Sequence, residues 1–157
     1  MPLLALLATA MIATAVPPGE VPVEPYVMSD ANAGAKPVDS ATLIAAFNGR
    51  EGVTRIAADT IDRSVGDPRI TDIFKAHDLV RLKRTLAEQF CYLLRGGCAY
   101  TGRDMAATHR DLGLQIADFN ALIEHLQEAM DAEGVPFAAQ NRLLAKLAPM
   151  QRTMVTR

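Results

Sequence analysis

From residue 40 onward the apolar residues recur every three or four positions, and paired breakers cut the resulting runs short. Val53, Ile56, Ala57, Thr60, Ile61 and Val65 share one face of a helix over 51–65, which Gly66-Asp67-Pro68 ends. Leu79, Leu82, Leu86, Phe90 and Leu93 share a face over 78–94, and Gly96-Gly97 stops that run. Phe119, Leu122, Ile123, Leu126 and Met130 do so over 118–132, with Asp118 as the expected N-cap, before the turn Gly134-Val135-Pro136. A short helix is expected at 40–47, ending at Asn48-Gly49, and another runs from Gly102 to His109. The last helix, 137–154, carries Leu143, Leu144, Leu147 and Met150 and meets Pro149 near its end. Val, Ile, Tyr and Phe are too thinly spread to suggest a sheet. The fold class is all-α. Its helices are too unequal for an up-down bundle and suit steep crossings around a cavity.

Half of the 157 residues are hydrophobic, enough for a real core, while aromatics are 5% and tryptophan is absent. A net charge of −2 with scattered arginines gives no basic stripe, which argues against a nucleic-acid partner. Residues 1–15 read as a signal peptide: Pro2 to Val16 is apolar apart from Thr9 and Thr14, and Ala13-Thr14-Ala15 offers small residues for cleavage after Ala15. No Lys or Arg precedes the apolar run, which is also shorter than the ~20 residues of a membrane span. Export, to the periplasm if the source is bacterial, is the expectation. An uncleaved membrane anchor is the alternative. Residues 16–39, rich in Pro and Gly, read as a linker, and 40–157 as the folded domain.

The histidines are His77, His109 and His125. None forms the His-x-x-His or Glu-x-x-His spacing of zinc or di-iron sites, and there is no nucleophile elbow, phosphate loop or dinucleotide fingerprint. Spacing alone leaves each histidine as structural or solvated. The run Tyr100-Thr101-Gly102-Arg103-Asp104-Met105-Ala106-Ala107-Thr108-His109, however, resembles the segment that leads into the proximal histidine of group-one truncated globins. Phe47-Asn48-Gly49 resembles the glycine corner after that family's short first helix. Asp67-Pro68-Arg69-Ile70 through Phe74 resembles the corner that supplies its haem-stacking phenylalanine. Residues 118–136 resemble its final helix pair. The resemblance covers about 40–155 and implies a two-over-two helical sandwich around one haem b.

It further implies that His109 is the iron ligand, with a carbonyl of its own helix fixing the tautomer. Phe74 would stack on the porphyrin, Met105 would pack on the proximal side, and Tyr100 would hydrogen-bond a propionate. On the distal side the chain departs from the family. Where relatives place Tyr and Gln, it has Ile61, Leu82 and Leu86, none of which can donate a hydrogen bond. Thr85 and Gln89 are expected to point sideways or outward, and His125 away from the iron. His77 is a corner residue.

The implied function is reversible binding of oxygen, carbon monoxide or nitric oxide, in transport or sensing, rather than enzymic turnover. The alternative is a haem redox enzyme such as a nitric oxide dioxygenase, which requires a reductase partner. A peroxidase would want a distal acid–base group. In an exported protein Cys91 and Cys98 would form a disulfide, and otherwise two buried thiols.

Overall fold

The computed structural model describes residues 15–155, so the apolar run read as a signal peptide lies, Ala15 apart, outside the described residues. Within them there are helices and turns but no strand, and no helix is long and apolar enough to cross a membrane.

The helices are α1 (Gly49–Gly66), α2 (Thr71–Phe74), α3 (Leu79–Leu93), α4 (Met105–His109), α5 (Ile116–Ala132), α6 (Phe137–Leu147) and α7 (Gln151–Met154). The expected helix at 40–47 is a 3₁₀ turn, Leu43–Phe47. The expected last helix is interrupted by a 3₁₀ turn at Ala148–Met150, where Pro149 lacks the N–H that would continue the ladder.

Local chemistry sets the boundaries. Asp78 caps α3 by accepting from Arg81 N at 3.1 Å, and Asp104 caps α4 by accepting from Ala107 N at 2.8 Å. Asp118 is not an N-cap: α5 begins earlier, at Ile116, and the Asp118 carboxylate reaches back to accept from Gln115 N at 2.9 Å. At Gly52 a Cβ would fall 1.9 Å from Phe47 O, so glycine alone lets the first turn of α1 seat against the preceding corner.

α1 packs on both α3 and α5, and α6 packs on α3. Phe47, Ile56, Leu93, Leu94, Leu126, Met130 and Leu143 are fully buried where these helices meet. Each such side chain stabilises the fold by about 1.5–3 kcal/mol through removal from water.

The segment 16–39 is irregular, but it is not a free tether. Its extended backbone crosses α3 and the stretch before α4, with one 3₁₀ turn at Asp30–Ala33. Ala33 and Val38 are core residues, and Val38 N donates to Leu93 O at 2.8 Å. The folded unit therefore begins well before residue 40. Its prolines suppress helix without preventing attachment, which here runs through side chains and isolated backbone pairs. Cys91 and Cys98 form a disulfide, with Cα atoms 5.7 Å apart, joining the end of α3 to the loop beyond it.

Candidate functional site

One cavity lies between the helices. Ile61 reaches it from α1, Phe74 from α2, Leu82 and Leu86 from α3, Tyr100 from the following loop, and Met105 and His109 from α4. The structure thus brings all seven residues singled out in the sequence to a single apolar space. α5 closes it with Phe119, Leu122, Ile123 and Leu126, and the chain end with Leu147, Met150 and Met154. These read in the sequence only as core periodicity, which cannot distinguish a side chain packed on protein from one packed on a ligand.

The His109 ring is fixed by its own helix. Its Nδ1 lies 2.7 Å from Met105 O, and a carbonyl can only accept, so the proton sits on Nδ1. The lone pair is therefore on Nε2, which has no hydrogen-bond partner among the described residues. Burial pushes the imidazole below its ordinary value; the Met105 carbonyl opposes this shift and nearby His77 adds to it. A neutral, oriented imidazole facing an apolar space is the state a metal ligand requires.

His77 apart, the other polar groups lining the cavity are committed elsewhere. Thr60 Oγ1 donates to Ile56 O at 2.7 Å, Thr85 Oγ1 to Arg81 O at 3.0 Å, and Thr108 Oγ1 to Arg103 O at 3.4 Å. The Tyr100 hydroxyl donates to Arg103 O at 3.0 Å, and burial pushes its ionisation well above the ordinary range. The Tyr100 proton is thus directed at a backbone carbonyl, where the resemblance implies a bond to a propionate. Gln89 does not point outward. It is buried, and its Nε2 donates to Ala33 O at 2.9 Å, with the sulfur of Met105 at 3.4 Å. The face formed by Ile61, Leu82 and Leu86 therefore has no spare donor. Among the described residues that line the cavity, only His77, at the exposed rim, retains one.

Among the described residues no Lys or Arg lines the cavity. His125 lies outside it, on α5, with Nε2 2.8 Å from Asp67 Oδ2. Arg69 brackets the same carboxylate and holds it well below the usual aspartate range; the Arg69 backbone N–H and His125 add to the effect. This cluster ties α5 to the corner that carries Phe74 and serves structure rather than the cavity.

The four long helices around a cavity, with a single-turn helix presenting one oriented imidazole, define a globin of the shortened kind. A family model of bacterial-like globins matches residues 42–156, and the chain belongs to that family. A group 1 truncated hemoglobin from Mycolicibacterium paratuberculosis is 26% identical over 118 residues, 75% of this chain and 87% of that protein. One from Nostoc commune is 25% identical over 116 residues, 74% and 98% of the two chains. The crystal structure of truncated hemoglobin from Tetrahymena pyriformis superposes with a TM-score of 0.69 at 22% identity, covering 73% of this chain and 98% of that one. It establishes likeness of fold.

Proposed function

We propose that this chain binds haem b in the cavity, with His109 Nε2 on the iron, and reversibly takes up a diatomic gas on the opposite face. The observation that carries the reading is the His109 ring: its proton is held by Met105 O, and its free lone pair faces an apolar space that also holds Phe74. Iron supplies the coordination position for the gas. The protein's part is to orient the imidazole, exclude water through Ile61, Leu82, Leu86 and Leu126, and give the ring an apolar bed. Carboxylates on the ligand would face solvent, because no cation lines the cavity among the described residues.

The distal face favours gases that need no hydrogen bond. Oxygen draws electron density from iron and gains from a donor more than carbon monoxide does, so oxygen would be held weakly here. We further propose that the protein works outside the cytoplasm. The N-terminal apolar run and the Cys91–Cys98 disulfide both support this.

The test is the ultraviolet–visible spectrum of the purified protein with added haem, reduced and then exposed to carbon monoxide, beside His109→Ala. The expected result is a Soret band that shifts with carbon monoxide and changes its ligation signature in the variant. No haem uptake by folded protein would refute the reading. Unchanged spectra in the variant would move the ligand to another residue.

A further inference from the structure

The segment that leads into His109 is held from outside the family-matched region. α4 is a single turn of five residues, too short to be stable by itself. The four residues before its cap, Tyr100–Arg103, form no regular structure, so their backbone groups need partners of another kind. Three of those partners come from residues 20–38, here termed the strap. Tyr100 N donates to Asp30 Oδ1 at 2.8 Å. Tyr26 Oη donates to Thr101 O at 2.7 Å. Asn32 Nδ2 donates to Gly102 O at 3.2 Å. Arg103 in turn lies over the Tyr26 ring, 5.0 Å from its centroid, and donates to Glu24 O at 2.9 Å.

The strap is anchored independently at both ends. Near its start the Glu20 side chain, 1% exposed, is paired with Arg84 and lies 3.2 Å from Arg81, and Arg84 holds its carboxyl below the ordinary range. Arg84 also donates to Thr101 Oγ1 at 2.7 Å, so this anchor reaches the same segment. Toward its other end Gln89 grips Ala33 O, and Gly34 sits where a Cβ would fall 2.9 Å from Met105 Cγ. Met105 is the residue whose carbonyl holds the His109 ring.

We infer that the strap is part of the ligand-positioning machinery: Tyr26, Asp30 and Asn32 are positioning residues that fix the approach of α4 and hence the His109 imidazole. The inference goes beyond the haem assignment but uses it, since the effect on iron presupposes that His109 is the ligand. Without the three side chains Tyr100 N and the Thr101 and Gly102 carbonyls would find water instead, and the segment would hang on Thr101 alone, through Glu88, which accepts from its N at 2.9 Å, and Arg84. The segment would sample several paths, and His109 several tilts.

The experiment compares the full chain with Tyr26→Phe/Asp30→Ala/Asn32→Ala and with Asp30→Asn, which retains an acceptor oxygen. Hydrogen exchange on the haem-free proteins reads the clamp directly. The expected result is at least tenfold faster exchange confined to the amides of 100–109 in the triple variant, with α1 and α5 unchanged, and near-normal exchange in Asp30→Asn. In the haem-loaded proteins the iron–histidine stretching band should broaden or shift, and transfer of haem to excess apomyoglobin should quicken at least tenfold. Exchange that stays unchanged, or rises equally in every helix, would overturn the inference, the second outcome marking a merely structural strap. Local exchange with an unaltered iron–histidine band and haem transfer would overturn it too. A local exchange response in a protein that takes up no haem would uphold the clamp on α4 and strike down the haem assignment alone.

Discussion

Leu82→Gln tests the distal face with a single atom pair. Leu82 lines the cavity, is half-buried and lies one turn from Leu86 on α3, so a glutamine of similar volume fits without opening a hole. Among the lining residues, the donors on Thr60, Thr85 and Gln89 are already committed to backbone carbonyls. The new amide would therefore add a donor within the leucine face, where only the His77 ring at the exposed rim has one to offer. A neutral hydrogen bond contributes about 0.5–1.5 kcal/mol net, which by RT of 0.59 kcal/mol is roughly a two- to thirteenfold slower release. The assay is stopped-flow displacement of oxygen by carbon monoxide, with the carbon monoxide off-rate measured separately by nitric oxide. Leu82→Met, which adds no donor, is the control for packing. The oxygen off-rate should fall in the glutamine variant alone, with the carbon monoxide off-rate changing by less than twofold. If both gases slow by the same factor, the leucine acts by sterics. If neither slows, another donor already reaches the ligand.

Two further perturbations test the scaffold. The Cys91–Cys98 bond closes a loop of sequence separation 7, for which the chain-entropy relation gives about 2.4 kcal/mol, or a melting-temperature loss of roughly 5–10 °C. Reducing the wild type and making Cys91→Ala/Cys98→Ala should give the same loss in denaturant titrations; a change below 1 kcal/mol in both would refute the entropic account. At Asp67, folding lowers the carboxyl pKa, so its interactions with Arg69 and His125 stabilise the native state fully above the ordinary value of 3.8 and are lost progressively as pH falls below it. The stability gap between wild type and Asp67→Asn should accordingly be constant from pH 7 to about 5 and shrink below pH 4. A gap independent of pH would mean that the carboxylate charge contributes nothing.

The helices were legible in the sequence because their breakers are local: Gly66-Asp67-Pro68 and Gly96-Gly97 act wherever they occur. The family resemblance carried the site, since Phe74 and His109 have no identifying chemistry of their own until spacing and order are matched. What stayed hidden depends on distant partners. Gln89 reads as one more polar residue on α3 until Ala33, 56 positions away, is brought to it. Tyr100 looks available for a ligand until the loop turns Arg103 O toward its hydroxyl. The strap reads as a linker for the same reason. Proline-rich composition reports the absence of regular structure, and it is silent on whether an irregular segment finds acceptors and donors on the surface it crosses.

Glu20 gives that strap something its apolar residues cannot. Val21, Val23 and Val27 are 62%, 44% and 84% exposed, so sliding the strap along α3 would cost them little buried area. Within two residues of Glu20 are only Pro18, Gly19, Val21 and Pro22, none of which could answer Arg84 and Arg81 if the strap slipped by one or two residues. Slippage would leave the Glu20 carboxylate without its guanidinium partners in a partly enclosed place, whereas the seated pairing sets it against both Arg84 and Arg81. One buried acid thus acts as a register pin: it selects among alignments that the valines leave nearly equal, so that Asp30 and Asn32, ten and twelve residues on, arrive opposite Tyr100 and Gly102.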